Sequence, residues 1–472
     1  MSKKLLLINP PHPFEERYGK GMDGVAPLLP SLGLLYIASA AESVGVDVSI
    51  QDSELYQHSI EETVSMALAT NPDMIGITCK TSNIHRVIAI CDGIKERSSI
   101  PVVLGGPHIT VHKENVLRDN SVDYVIYGEG EETIKEFLQT LWKSNERNRL
   151  ELIQGLGWKR DNVPVINPPR PYIKDIDTIL PPSRHLINMS KYRPGPQHFK
   201  LLPMTTMITS RGCPFSCTFC DSVVIWDRKY RLRSISNVFA EIHHLIEKYG
   251  IRDICFWDDL WGVNKKWANE FCDRLLRENL NISWSCECRV DTVTPELLKK
   301  MASAGCWCVF YGFESLDQDV LNVINKKTSP LKIRDAIKWT KDAGMEIRAN
   351  FILGLPNETP DKVRKMLEDI QELELDYVKF NIITPYPGTE LYNQIKSGKW
   401  GKMSTSFDRL TGYFATFLPE GYGSLEEIEK LRRFVHRRYY FRIRYILSRL
   451  KRIRGWKDIL KYYYGMRALL KI

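Results

Sequence analysis

Three cysteines stand within eight residues in the stretch TSRGCPFSCTFCDS, residues 209–222: Cys213, Cys217 and Cys220. The spacing C-x3-C-x2-C offers three thiolates and no nearby fourth ligand. Structural zinc is nearly always four-coordinate, and the next histidines, His243 and His244, lie about twenty-three residues on, inside a helical pattern. A dithiol redox element would leave one thiol over. A 4Fe–4S cube fits the triad, because three thiolates bind three irons and the fourth stays open to a chelating ligand. Arg211-Gly212 open this loop and Pro214 turns it.

The elements that must position the loop can be read around it. From Thr205 to about residue 400, strands are expected at TTMIT, DICFWDD, ISWSCEC, CWCVFYGFES, EIRANFILG and DYVKFNIIT. Helical patterns such as SNVFAEIHHLIEKYG and PLKIRDAIKWTKDAG separate them. Such alternation builds a partial (β/α)6 TIM-like barrel, whose chemistry belongs at the carboxyl ends of the strands. Those ends carry Asp258-Asp259, Arg289 with Asp291, and Gly312-Phe313-Glu314-Ser315. Cys286 with Cys288, and Cys306 with Cys308, form C-x-C pairs whose period of two puts both members on one face. Buried packing is the better account of these pairs than a second metal site.

Residues 1–143 alternate short apolar runs (LLLIN, VDVSIQD, DMIGIT, PVVLGG, DYVIYG) with amphipathic stretches. This is the pattern of a doubly wound, Rossmann-like α/β domain, which binds ligands at the carboxyl ends of its strands. There stand Pro10-Pro11, Thr78 to Ser82, Gly105-Gly106 and Glu129-Gly130. Glycine after a strand lets backbone approach a bulky ligand, although each turn taken singly reads as an ordinary tight connection. No G-x-G-x-x-G follows the first strand, which speaks against a dinucleotide. Residues 144–204 read as a connector rich in proline, with short strand-like pieces at LIQGLGWKR and VPVIN.

The chain of 472 residues is too long for a single core. Leu5 to Ile8 read as a buried strand and not as a secretory leader, because Asn9-Pro10-Pro11 end the apolar run after four residues. Eleven cysteines without framework spacing suit a reducing cytoplasm. The formal charge of +9 is uneven: Lys430 to Ile472 carry fifteen Lys and Arg against Asp458 alone, leaving the first 429 residues at −5. Residues 401–472 are therefore expected to form a basic helical tail. Its arginines either snorkel at the rim of a docked helix pair or meet an anionic surface such as lipid headgroups. Nucleic acid is the weaker partner.

The cysteine spacing after the first barrel strand resembles the signature of the radical S-adenosylmethionine (SAM) superfamily. The resemblance implies that Cys213, Cys217 and Cys220 hold a 4Fe–4S cluster, with Phe219 in the usual aromatic position before the third cysteine. It implies that SAM chelates the open iron and is cleaved to a 5′-deoxyadenosyl radical. Asp258, Asp259, Arg289 and Glu314 then serve SAM's polar groups, and Gly354 in FILGLPNET lets adenine stack on backbone.

The order of doubly wound domain, connector, cysteine-loop barrel and basic tail is similar to that of the cobalamin-binding radical SAM enzymes. GGPH, YGEGEET, FWDD and GFES carry the likeness along nearly the whole chain. It implies a first domain that cradles cobalamin on Pro10, Pro11, Thr78, Ser82, Gly105, Gly106, Glu129 and Gly130, with the corrin toward the cluster. One departure is clear: where many cobalamin domains read D-x-H-x-x-G, this chain reads Asp52-Ser53-Glu54-Leu55-Tyr56-Gln57, with no histidine ligand. The commonest reaction in the family is methylation of an unactivated carbon; oxidative cyclisation and rearrangement are its alternatives. A tRNA methylthiotransferase would need a second cluster on N-terminal cysteines, where only Cys79 and Cys91 are found. A non-catalytic cobalamin or SAM sensor would not need the triad. The resemblance further implies an external reductant of the flavodoxin or ferredoxin type and a small-molecule or lipid-linked substrate. The expected location is cytoplasmic, at the inner face of the membrane if the tail meets lipid.

Overall fold

Alternate residues of the first strand face opposite helix layers, and this builds the first unit. In the computed structural model, Leu5 and Leu7 of β1 (Lys4–Asn9) pack with the Leu32–Ser43 and Glu131–Gln139 helices, while Leu6 and Ile8 pack with Ile60–Ala69 and Ile84–Lys95. A strand buried on both faces must be apolar throughout, which is why LLLI carries no alternation. The structure describes residues 2–19, 25–144, 147–403, 407, 409–450, 453, 462–463, 465–467 and 469–470.

Five parallel strands form the doubly wound sheet: β1, β2 (Asp47–Asp52), β3 (Met74–Thr78), β4 (Val102–Gly105) and β5 (Tyr124–Ile126), in the order β2-β1-β3-β4-β5. Strand β1 pairs with β2 on one side and β3 on the other, so the chain reverses direction across the sheet between β1 and β3. The sheet then continues antiparallel through β6 (Leu156–Arg160) and β7 (Val163–Ile166). The strand-like pieces read as a connector thus extend the first sheet. The chain divides into two compact units, 1–13 with 28–192 and 14–27 with 193–472.

The second unit is built on a six-stranded parallel sheet: β8 (Met204–Met207), β11 (Asp253–Phe256), β12 (Ser283–Cys288), β13 (Cys306–Glu314), β14 (Glu346–Leu353) and β15 (Tyr377–Ile382). Between β8 and β11 lies a short antiparallel pair, β9 (Ser210–Arg211) and β10 (Arg231–Leu232). All six strands expected for the barrel are present in the expected order. Three of the intervening helices begin with a capping hydroxyl followed by proline at the first helical position, at Thr294-Pro295, Ser329-Pro330 and Thr359-Pro360. The hydroxyl accepts an orphan N–H, and proline's fixed φ suits a position with no donor to satisfy.

A final pair, β16 (Gly401–Met403) and β17 (Phe417–Pro419), precedes the Leu425–Tyr440 helix. That helix covers the edge strand β15. The Tyr440 hydroxyl accepts from Val378 N and donates to Val378 O, and His436 Nε2 accepts from Phe380 N. An open sheet edge is thereby capped by side chains. The inner part of the basic tail is a pair of helices, Leu425–Tyr440 with buried Arg432 and Ile443–Leu450 with buried Arg449. Lys451, Arg452, Arg454, Lys457, Asp458, Lys461 and Lys471 lie outside the described residues. Among the described residues, no helix is long and apolar enough to cross a membrane.

Candidate active site

The cysteine loop leaves β8 at its carboxyl end and is closed at its base by the β9–β10 pair. Gly212 has φ +85°, and a Cβ there would collide with the Lys229 carbonyl. Only glycine fits such a position. Two carboxylates at the end of β11 hold this base. Asp258 accepts from Thr209 N at 2.8 Å, the Thr209 hydroxyl at 3.1 Å and the Ser210 hydroxyl at 2.7 Å, and also from Ser210 N. Burial pushes the Asp258 carboxyl up to about 7 against the pull of these donors. Asp259 accepts from Gly212 N at 3.1 Å.

The far side of the loop is tied to the segments that follow β13 and β15. Thr218 N donates to Ile324 O at 3.0 Å, Leu391 N donates to Thr218 O at 2.9 Å, and Asn325 Nδ2 donates to Ser216 O at 2.8 Å. Phe219 packs against the barrel core. Cys217 is buried, while Cys213 and Cys220 are half-buried, and burial pushes both of the latter thiols up. Arg289, at the end of β12, stacks 3.8 Å over the Phe215 ring and directs Nη1 to Cys217 Sγ at 3.6 Å. Its fork is fixed by Asp291 at 2.8 and 2.9 Å and by Lys326 O at 2.6 Å.

At the end of β13 the backbone is irregular. The β13–β14 register shifts between Gly312 and Glu314, and Glu314 adopts φ +63°. This left-handed conformation costs an L-residue about 1 kcal/mol or more. Glu314 Oε1 pairs with Lys326 Nζ at 2.7 Å, both side chains being buried. A Cβ at Gly312 would strike that carboxylate. At the end of β14, Gly354 has φ +78° and donates its N–H to Glu358 at 2.6 Å, and the Tyr422 hydroxyl donates to the same oxygen at 2.8 Å. Burial raises the Glu358 carboxyl to about 8. The C-x-C cysteines lie in the strand packing, with Cys286 and Cys288 sulfurs 3.7 Å apart and both buried.

In the first unit the expected ligand loops gather at the strand ends. Pro10 and Pro11 follow β1, Thr78 ends β3, and Ser82 lies in a short turn before the Ile84–Lys95 helix. Gly106 has φ +108°, and a Cβ there would meet Cys79 O at 2.7 Å and the Thr78 hydroxyl at 3.2 Å. A Cβ on Gly130 would meet Ile37 at 2.7 Å. Glu129 is buried and accepts from Ile173 N at 2.7 Å. Where a histidine ligand would stand, Asp52 and Glu54 are engaged instead: Asn9 Nδ2 donates to both, at 2.8 and 3.2 Å, and the Tyr192 hydroxyl donates to Asp52 at 2.7 Å. Cys79 and Cys91 are fully buried in the core, which leaves no exposed thiol pair among the described residues of this unit for a second cluster.

Comparison with known proteins follows the same division. Residues 22–138 match the B12 binding domain family and residues 207–370 match the Radical SAM superfamily. The chain is 35% identical over 412 residues to an uncharacterized methyltransferase of Pyrococcus horikoshii, covering 85% of this chain and 86% of that protein. The chain belongs to the cobalamin-binding radical SAM family. It is also 27% identical to an anaerobic magnesium-protoporphyrin IX monomethyl ester cyclase of Rubrivivax gelatinosus, over 83% of this chain and 70% of the relative. Its fold is that of the radical SAM methyltransferase TsrM from Kitasatospora setae, solved with cobalamin and a [4Fe–4S] cluster bound. That match has a TM-score of 0.71 at 17% identity, covering 91% of this chain and 87% of the other.

The cofactors of a cobalamin-binding radical SAM enzyme are a 4Fe–4S cluster, SAM and cobalamin, and the residues present fit them. Among the described residues, no three His, Cys, Asp or Glu side chains converge on a single ion. A cube takes one thiolate per iron corner, so its three cysteines stand apart. The donor set is all thiol, and a guanidinium lies against Cys217, as an anionic thiolate cluster requires. For cobalamin, the β2-β1-β3 reversal makes a crevice of the kind that binds ligands in open α/β sheets. Gly105-Gly106 stand at the carboxyl end of β4, two strands from β1, and the space a Cβ at Gly106 would take is filled by the Cys79 backbone. Sequence reading missed Lys326 and Glu358. Glu358 lies inside FILGLPNET, where only Gly354 was singled out; Lys326 has no periodic or motif signal and matters because the chain after β13 folds back against Glu314.

Proposed function

We propose that this radical SAM enzyme is a C-methyltransferase acting on an unactivated carbon. The observation that carries the reading is the Cys213, Cys217 and Cys220 loop, braced at its base by Asp258 and Asp259 and contacted by Arg289 at Cys217. When bound, the cluster and SAM supply a hydrogen-abstracting 5′-deoxyadenosyl radical, and cobalamin supplies the methyl group. Cys213, Cys217 and Cys220 hold the cluster, and Phe219 packs the loop onto the barrel. Asp258 is a positioning residue, because its carboxylate is already filled by Thr209 and Ser210. Asp259, Arg289 and Glu314 orient SAM's charged end, and the Gly354 backbone receives adenine. Pro10, Pro11, Thr78, Ser82, Gly105, Gly106 and Gly130 form the cobalamin rim, with Glu129 holding the Ile173 segment beside it. An external one-electron reductant, of the flavodoxin or ferredoxin type, completes the reaction.

The test is anaerobic reconstitution with iron, sulfide, cobalamin and SAM under a strong reductant. It measures 5′-deoxyadenosine, S-adenosylhomocysteine and the corrin absorption. A cluster-loaded protein that forms no deoxyadenosine would overturn the radical reading, and iron content unchanged in Cys217→Ala would overturn the ligand assignment. The similarity to the cyclase of Rubrivivax gelatinosus supports oxidative cyclisation as the second reading. Turnover of substrate with deoxyadenosine but no S-adenosylhomocysteine would favour it.

The outer face of the tail supports peripheral contact with an anionic bilayer at the inner membrane face. Ile443, Ile446, Leu447 and Leu450 are exposed at helical spacing on the Ile443–Leu450 helix. Beside them Lys430, Arg433, Arg437 and Arg438 flank Phe434 and Phe441. Apolar anchors bordered by arginine match the chemistry of acidic lipid headgroups.

A further inference from the structure

The barrel sheet has two chemically different faces. Ile347, Ala349, Phe351 and Leu353 of β14, with Val378, Phe380 and Ile382 of β15, pack into the core under the helices. The alternate residues Arg348, Asn350, Lys379 and Asn381 therefore face the other way. Low on that inner face, Cys255, Trp307, Cys308 and Phe310 form a small apolar plug. Above the plug, β14 and β15 present polar and positively charged groups.

Two cations lie over one phenol there, and a third acts on it from farther off. Lys379 Nζ lies 5.0 Å from the Tyr413 ring centre, and the Arg432 guanidinium of the Leu425–Tyr440 helix lies 5.4 Å from the same ring. The Arg348 guanidinium sits 4.7 Å over Phe310, with Nη1 2.7 Å from His198 Nε2. Arg348 is 8% exposed and Arg432 6%. Among the described residues none of the three makes an ion pair with a carboxylate. The Nε atoms of Arg348 and Arg432 are buried without a partner. Asn350 and Asn381 make no side-chain hydrogen bond among the described residues. Glu287 of β12 lies within the field of Arg348 and Lys379, yet burial raises its carboxyl, and it forms no ion pair among the described residues.

Buried positive charge that makes no direct ion pair is expensive, and burial of charge is normally balanced by a paired anion. Burial alone would raise the Tyr413 hydroxyl, but Lys379, Arg432 and Arg348 together hold it below the ordinary phenol value. An anionic ligand would feel the same field.

We propose that Arg348, Lys379, Arg432 and Tyr413 form a subsite for a carboxylate or phosphate group of the substrate, with Asn350 and Asn381 as neutral hydrogen-bonding partners. The inference rests on the reading of this barrel as the reaction chamber, and it defines the substrate class as a molecule with an anionic group. Two sources share that chemistry, the substrate and SAM's own carboxylate, and the experiment separates them.

The experiment titrates inorganic phosphate into the full-length, cluster-loaded protein at constant ionic strength, followed by calorimetry and by 31P line broadening, with and without saturating SAM. Saturable binding is expected in both conditions. Lys379→Gln and Arg348→Gln should each weaken it about tenfold, the loss expected for one charge-assisted contact. Lys379→Arg should retain it, which separates loss of charge from misfolding. No saturable binding, equal weakening by Lys379→Gln and Lys379→Arg, or unchanged binding in the Gln variants overturns the proposal. Stoichiometric displacement by SAM assigns the anion site to SAM and overturns the substrate claim. The titration needs no turnover, so absence of deoxyadenosine would sink the function of the barrel while leaving phosphate binding to stand or fall by itself.

Discussion

Removing the Glu314 carboxylate should unfold more than its own strand end. Glu314 and Lys326 pair at 2.7 Å with each side chain 9% exposed, so solvent screening of the pair is slight. Truncating either partner leaves the other charge buried and uncompensated, which costs about 3–5 kcal/mol. Glu314→Gln and Lys326→Met should each lose that much, and the double variant, with no buried charge, should fall short of the sum by about 2 kcal/mol or more. Each single variant should therefore melt roughly 5–8 °C lower, the shift such a loss gives in a unit of this size. Backbone conformation can be separated from charge at the same residue, because Glu314 sits at a left-handed φ of +63°. Glu314→Gly relieves that strain and should be about 1 kcal/mol less damaging than Glu314→Ala. The assay is urea unfolding of the cluster-free protein, with hydrogen exchange of β13 and β14 amides to isolate the barrel. A coupling energy below about 0.5 kcal/mol, the range of an exposed pair, would refute the reasoning. The effect reaches the site because Lys326 O accepts from Arg289 at 2.6 Å, and Arg289 contacts Cys217.

Gly212→Ala should lose most of the cluster, since the residue sits at φ +85° and the Lys229 carbonyl blocks a Cβ as well. The conformation alone costs a residue with a Cβ about 1 kcal/mol or more; iron content at the wild-type level would contradict this. Glu358 carries a pH dependence. Its carboxyl is raised by burial from 4.5 to about 8. Its contribution to stability is therefore present in full below about 4.5 and is lost as pH rises through about 8. Glu358→Gln should flatten the fall in melting temperature between about pH 5 and 8, and an identical slope in both proteins would exclude Glu358 as its source. The protein should cosediment with vesicles containing phosphatidylserine and not with phosphatidylcholine alone. Ile446→Glu combined with Leu450→Glu should abolish this, and binding insensitive to those changes would remove the tail from the membrane.

Much of the architecture was legible before any coordinates. The six barrel strands and five strands of the first sheet could be read because a parallel strand covered by helices must be apolar over its whole length. The cysteine triad was legible because its pattern is local: three thiols in one loop carry their spacing in the chain. The pieces at LGWKR and VPVI read as strand-like, but nothing local in them distinguishes a connector from a sheet strand. Their membership of the first sheet rests on pairing with β5, a long-range contact with no local signature. The tail's arginines posed a similar ambiguity, since composition cannot distinguish Arg432, buried beside Tyr413, from Arg437 on the surface.

The sequence by itself determined the element order, the cysteine loop and the family, because periodicity and short motifs are properties of neighbouring residues. Only the tertiary structure decided what each polar group does. Asp258 reads as a SAM ligand in the chain, yet folding fills its carboxylate with Thr209 and Ser210. Lys326 carries no motif, yet folding brings it to Glu314. Arg348, Lys379 and Arg432 come from three separate elements, and Lys379 and Arg432 meet at Tyr413 within the field of Arg348 only because β14, β15 and the capping helix come together on one side of the barrel. Burial, charge compensation and hydrogen-bond saturation are set by which distant groups arrive together, and no local pattern encodes them.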